Sequence, residues 1–425
     1  MANTNSFGLK RWGMFAIISL IFFLITGATY GSLGVVLPFM IRELDWSYTE
    51  IGTGFTILGL MNGMTAILPA LMLRRFGIKA TYGVGGLAMV VGFSLLAICT
   101  DLSQYFIAAA LLGYGFSHCA NVPGIHLINN RLADKRSFAI GAYMTIGGLG
   151  GVAGPLLVTG VESLTGSWRN YWWLATAAIL LLTLLAMLFV QAQADRTPAG
   201  QETVKPPREK HTAAVYQTGI DWSYRAVMRC PQFYIIVAAM TMTLFCAITI
   251  SSWAVIHIGT FGIATATAAT AMSVYAALNA LSRAFGGLLS TRIDPKWLLL
   301  SALIAEIIGI LALSVADNIF MVAVFVLGEG YGFGMCFFTT TVLLINYFGP
   351  KNNPEILGSL NMITTLATAG PILAGYLGDR VGGFAGVFQG YAVSLVIIAI
   401  AVAVVRPPHQ HRVYNEEEKS FLESE

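Results

Sequence analysis

Charge is what this sequence has least of. Only 11% of its 425 residues are Asp, Glu, Lys or Arg, against 56% hydrophobic residues and a mean hydropathy of +0.72, whereas soluble domains carry roughly 25% charged residues. That shortage excludes water as the main solvent of the fold. The net charge of +3 is too small, and the basic residues too dispersed among short loops, for a nucleic-acid-binding stripe. Cysteine is sparse and unpaired in spacing: Cys99, Cys119, Cys230, Cys246 and Cys336 suggest neither a disulfide framework nor a metal site. Also missing are a Ser/His/Asp set, a metal-ligand cluster and a phosphate loop. Neither an enzyme nor a bound cofactor is expected.

What is abundant is apolar sequence in runs of about 20 residues or more, the length a helix needs to cross a bilayer. Twelve such runs fall at 13–39, 51–73, 80–99, 103–129, 137–161, 170–192, 232–257, 264–290, 297–315, 319–346, 355–378 and 383–405. The first follows MANTNSFGLKRWG without a small-residue cleavage site and reads as a retained helix rather than a signal peptide. One long polar interruption, containing QADRTPAGQETVKPPREKH, splits the runs six and six. The expected fold is therefore all-α and membrane-embedded, with twelve transmembrane helices in two pseudo-symmetric six-helix bundles. Its parts are a bundle at 1–192, a cytoplasmic linker at 193–231, a bundle at 232–405 and a cytoplasmic tail at 406–425.

The basic residues orient that plan, because cytoplasmic loops retain positive charge. Of the 24 Lys and Arg, 20 fall on one alternate set of loops and termini, and three (Arg42, Arg169 and Arg380) on the other. Both termini and the linker are thus expected in the cytoplasm, with the chain in an inner or plasma membrane. The remaining basic residue, Arg283, lies inside a run.

The two halves also repeat. Gly113-Tyr114-Gly115-Phe116-x-x-Cys119 recurs as Gly330-Tyr331-Gly332-Phe333-x-x-Cys336, an offset of 331 − 114 = 217. Arg75 with Arg292, Lys79 with Lys296 and Gly141 with Gly358 share that offset, and Pro155 with Pro371 gives 216. One offset, within a residue, in four regions is hard to ascribe to membrane composition, and it implies parallel copies.

With the six-linker-six plan, the basic loops after the second and eighth runs and the Gly-Pro stretches Gly147–Pro155 and Gly370–Gly375, the chain resembles the major facilitator superfamily over essentially its whole length. The loop ALMLRRFGIK keeps Gly77 but carries Arg74 where that family has an aspartate. Within the superfamily it is similar to the monocarboxylate porters and oxalate:formate antiporters. Tyr30-Gly-Ser-Leu-Gly-Val-Val-Leu-Pro38 with Glu43-Leu-Asp-Trp46-Ser47 resembles their first helix and its exit, and Asn279-Ala-Leu-Ser-Arg283-Ala-Phe-Gly286-Gly287 their arginine helix. The resemblance implies transport of a small organic anion, with Arg283 as its anchor. Two departures matter: Asn279 stands where proton-coupled monocarboxylate porters have an aspartate, and 355–378 lacks the lysine of the oxalate:formate antiporters.

Arg283 is the sharpest candidate on its own chemistry. A charge near a helix centre costs roughly 2.5–3.5 kcal/mol even on the lenient insertion scale. Its planar fork of donors matches a carboxylate, although it could instead snorkel to the cytoplasmic end or pair with Glu329 or Glu306. Helical spacing puts Asn279 and Ser282 on its stripe. Tyr30, Tyr331 and Asn121 are further candidate substrate contacts. Glu329, mid-helix, is the first proton-coupling candidate, with His118 and His257 as others. Glu306 reads as structural, and so do the glycines of 147–154 and 370–375, which let helices approach closely.

The best-supported expectation is a monomeric secondary transporter of a small monocarboxylate, with protons as a second partner. Two further readings stay open: an efflux pump for anionic or hydrophobic drugs or aromatic compounds, and a non-transporting membrane receptor.

Overall fold

The computed structural model describes residues 2–132, 136–190, 215–290, 292–349 and 352–408. In chain order the helices are α1 (Ala2–Thr26), α2 (Leu33–Leu44), α3 (Tyr48–Met64), α4 (Leu68–Ala97), α5 (Leu102–Cys119), α6 (Asn121–Arg131), α7 (Arg136–Thr165), α8 (Arg169–Phe189), α9 (Tyr224–Met228), α10 (Pro231–Thr260), α11 (Thr265–Leu289), α12 (Pro295–Ser314), α13 (Ile319–Phe348), α14 (Asn353–Thr364), α15 (Gly370–Val381) and α16 (Ala385–Val404). Among the described residues there is no strand. The expected linker falls outside the described residues as far as 214, and the tail from 409.

Twelve apolar runs become more than twelve helices because prolines restart several of them. Pro69, Pro123 and Pro371 each stand near the start of a helix and cannot donate to the turn before it. The second run therefore breaks at the turn 65–67, the fourth at Ala120, and the eleventh at the tight 3-10 turn Thr365–Ala369. Gly77, at φ +80°, separates the second crossing from the third inside α4, a conformation that costs glycine little. Nine helical stretches among the described residues are long and apolar enough to span a membrane. The other three crossings are the shortened α3, the bent α5–α6, and α11 with its Asn279, Ser282 and Arg283.

Caps fix several helix starts. Ser47 and Glu50 form a reciprocal capping box on α3, Asp101 accepts from Gln104 N at 3.0 Å on α5, and Asn318 from Met321 N at 3.0 Å on α13. Each satisfies donors that a helix leaves orphaned in its first turn.

The described residues divide into two compact units. The first holds 2–132 and 136–190 with 249–277 and 368–384. In it the π-helical turn Gly27–Gly31 that follows α1 lies on the glycine run of α7: a methyl on Gly27 would stand 2.7 Å from Gly150 O, and one on Gly31 3.2 Å from Gly151 Cα. With no hydrophobic drive between helices in lipid, such backbone approach carries the packing. The same unit packs α15 on α3, with Gly52 against Pro371 O and Gly375 against Tyr48 O. Glu43 receives the Trp168 indole at 2.6 Å and pairs with Arg169 at 3.2 Å.

The second unit holds 215–248, 278–290, 292–349, 352–367 and 385–408. Its centre is the α12–α13 hairpin, with α16 against α12. Lys296 Nζ donates to Ala403 O and Val405 O at 2.8 and 2.6 Å, satisfying carbonyls at the end of α16. Trp222 N donates to Phe348 O at 2.9 Å, so 215–223 is tied to the end of α13.

Candidate functional site

In the second unit Asn279 and Arg283 lie one turn apart on α11, a spacing at which side chains meet. Arg283 Nε donates to Asn279 Oδ1 at 3.0 Å. Its guanidinium stands 4.1 Å from the ring centre of Phe337 and 5.4 Å from that of Phe333, two rings one turn apart on α13. A cation over aromatic faces is attracted by about 0.5–2 kcal/mol, most where water is excluded. The amide and the rings together set the plane of the guanidinium. Gly334 makes the arrangement possible, since a methyl there would stand 2.8 Å from Ser282 Cβ. Ser282 is buried in that contact, and its hydroxyl donates to Leu278 O at 2.7 Å.

Tyr331 lies elsewhere on α13. Its hydroxyl meets Ser301 Oγ of α12 at 2.8 Å, whereas Arg283 is over Phe333 and Phe337, so the structure does not bring Tyr331 to the arginine. Glu329 and Glu306 are fully buried. Neither oxygen of Glu329 has a hydrogen-bond partner; Glu306 accepts from Thr243 Oγ1 at 2.9 Å on one oxygen and has none on the other. Neither carboxylate therefore hydrogen-bonds Arg283, which disposes of the internal pairing that the sequence left open.

Tyr30, His118 and His257 lie in the first unit. Tyr30 Oη accepts from Asn62 Nδ2 at 3.1 Å, and its ring meets Phe116 edge-on at 5.2 Å. His118 is fully buried, with Nδ1 2.9 Å from Tyr114 O and 3.1 Å from Ser117 Oγ, and no partner on Nε2. Because a carbonyl only accepts, Nδ1 carries a proton. Ser117 also meets Thr65 at 2.9 Å, so a polar seam links α3, α5 and the segment after α3. His257 is buried against Phe261 and Phe384. The side chain of Asn121 lies outside the described residues.

Sequence reasoning passed over Asn62 and took Glu306 for structural. Both are polar residues in apolar runs, which was the available signal. What it did not show was their neighbours, Tyr30 and Glu329.

Two matches to one family together take in residues 18–424: the Major Facilitator Superfamily, over 18–270 and 235–424. Among curated proteins, one of Agrobacterium vitis provisionally named a tartrate transporter is 24% identical over 177 residues, 41% of this chain and 39% of that protein. Monocarboxylate transporter 4 of Gallus gallus is 29% identical over 117 residues, 27% of this chain and 24% of its own. The chain thus spans less than half the length of the curated relatives it matches. Among solved structures, a variant of the nucleoside transporter NupG aligns with a TM-score of 0.72 at 16% identity, covering 93% of this chain and 99% of that one. A bacterial homologue of the human lysosomal transporter Spinster, inward-facing and occupied, gives 0.70 at 16% identity, with 92% and 95% covered. At that identity the likeness is one of fold, and it agrees with the twelve-crossing architecture. Sequence pattern and fold meet on the same answer: the chain belongs to the Major Facilitator Superfamily.

Proposed function

We propose that this protein is a secondary transporter of a small organic anion of the monocarboxylate class, working by alternating access with Arg283 as the anion's anchor. The observation that carries the reading is the setting of that arginine: half-buried in a membrane helix, oriented through Nε by Asn279 and stacked on Phe337. An intramembrane cation held this way is costly unless function retains it. A carboxylate meeting the guanidinium forms a charge-assisted pair, stronger than a neutral hydrogen bond. Of the two curated relatives described above, one is named for monocarboxylates and the other for tartrate, a dicarboxylate, so their names support a carboxylate substrate and leave the monoanion to the single charge of Arg283. One fixed positive charge favours a monoanion over a dianion. Tyr30, held by Asn62, is the further substrate contact with the best support, while the Ser282 hydroxyl is occupied within its own helix. Protons are the proposed coupling ion.

The test is uptake of a radiolabelled panel of monocarboxylates, dicarboxylates and nucleosides into proteoliposomes. Wild type should accumulate monocarboxylates, and Arg283→Lys should lose most of that uptake, because a point charge does not reproduce the planar fork. Full activity in Arg283→Lys removes the anchor. Uptake of nothing in the panel by wild type would favour the receptor reading.

A further inference from the structure

The offset of 217 found in the sequence extends to side-chain contacts. In the α4–α5 hairpin, a methyl on Gly115 would stand 2.7 Å from Met89 Cγ and 2.8 Å from Gly85 O, and one on Gly92 2.9 Å from Leu112 Cγ. Adding 217 to each number gives α12–α13: a methyl on Gly332 would meet Glu306 Cγ and stand 2.8 Å from Ala302 O, and one on Gly309 would stand 3.1 Å from Glu329 Cγ. The same two seats hold Met89 and Leu112 in one hairpin and Glu306 and Glu329 in the other. Packing therefore requires an acid at neither place, since a thioether and an isobutyl group fill the sister seats. The offset also takes Thr243, which donates to Glu306, to Thr26, whose hydroxyl has no partner.

Three of the four oxygens of Glu306 and Glu329 are unpartnered, and both side chains are fully buried. Glu306 packs on Gly332, three residues beyond Glu329, and Glu329 packs on Gly309, three residues beyond Glu306, so the two acids sit side by side across the hairpin. Two like charges in such a seat are untenable, and sharing a proton relieves them. From the surrounding helices the facing groups are the Thr243 hydroxyl and Cys246 thiol of α10 and the Cys336 thiol of α13. On α16 the sequence offers no acidic or basic residue, and its Tyr391 packs on Phe245. Arg283 of α11 lies over Phe333 and Phe337. Among the described residues no group of three or more His, Cys, Asp or Glu could hold a metal ion, and a hard divalent cation asks for about six oxygen ligands.

We propose that Glu306 and Glu329 form a proton-binding site of their own, distinct from the anion anchor at Arg283, which holds one proton between two carboxyl groups and exchanges it when water enters. Proton binding stands independently of the transport reading; only its part in coupling rests on that reading.

Infrared difference spectra of the purified protein in lipid, across about pH 5 to 9, read the carboxylic C=O stretch without any substrate. Wild type should show a band that fades as pH rises and shifts in heavy water. The double variant Glu306→Met with Glu329→Leu, which borrows side chains that already fit the sister hairpin, should lose it. Glu306→Gln and Glu329→Gln should each move its midpoint. A wild-type band that stays constant over this range, one displaced by Na+ instead of pH, or one that survives the double substitution overturns the site. In proteoliposomes the double variant should bring pH-driven anion accumulation down to the level set by the anion gradient alone. Accumulation at the wild-type level would overturn the coupling role. A titrating band in a wild type that moves no anion would uphold the site and sink the transport reading instead.

Discussion

Asp379 accepts hydrogen bonds from the backbone N–H of Thr49 at 2.8 Å and of Tyr48 at 3.0 Å, and takes the Thr49 hydroxyl as well. A carboxylate near the end of α15 thus closes the first turn of α3, where orphan donors and the helix dipole both favour a negative charge. Asp379→Ala should lower stability by about 1 kcal/mol, the usual worth of such a cap, read as a lower denaturation midpoint in detergent by circular dichroism. Asp379→Asn should recover part of the loss. An unchanged midpoint in the alanine variant would show that the contact adds nothing to stability.

Asn279 holds Arg283 without competing for its charge. Asn279→Asp would place a carboxylate one turn from the guanidinium, in the position proposed for the incoming anion. A charge-assisted hydrogen bond is worth about 1.5–3 kcal/mol, so the apparent KM for the transported anion should rise about tenfold or more. Maximal rate should change less than KM. Initial uptake rates across a range of anion concentration separate the two, and an unaltered KM would count against Arg283 as the binding group.

Tyr30 and Asn62 are coupled through one hydrogen bond of 3.1 Å. Tyr30→Phe and Asn62→Ala should each reduce uptake, and the double substitution should cost less than their sum by about 0.5–1.5 kcal/mol. A double-mutant cycle on uptake rates measures this, and strict additivity would mean that the bond does not orient the phenol.

Gly27 has no room for a side chain beside Gly150 O. Gly27→Val should overpack the contact between the turn after α1 and α7 and destabilise the protein by about 1–3 kcal/mol, seen as a broadened gel-filtration peak and a lower thermal midpoint. Gly160→Ala, on the same α7 with nothing within 4 Å of the added methyl, should leave both unchanged.

Length and polarity alone made the twelve crossings legible, and the offset of 217 made the duplication legible. Breaks inside the crossings were not read in advance, although Pro69, Pro123 and Pro371 announce them: the missing N–H acts locally, while run length averages over it. Arg283 and Asn279 could be placed together because helical spacing is fixed within one helix. Tyr331 could not, since its face on α13 depends on which neighbour each face meets. Glu306 and Glu329 were within reach of the sequence. Their helices meet at Asp317 and Asn318, and 317 − 306 = 11 while 329 − 318 = 11, so folding the hairpin brings them level. Weighing each acid by itself hid the pair.

Where α3 meets α15, several contacts hang together. The Trp253 indole donates to Pro371 O at 3.0 Å, its ring stacks on Phe384 and abuts Tyr48, and Asp379 grips the next residue along. Drawing α3 away from α15 would strip the carboxylate, the contacts of the Tyr48 ring with Trp253 and Phe384 and the glycine seats of Gly52 and Gly375 in a single movement. Such a junction behaves as a detent that is either engaged or sprung, because packed surfaces of this kind are bistable and do not stretch by degrees.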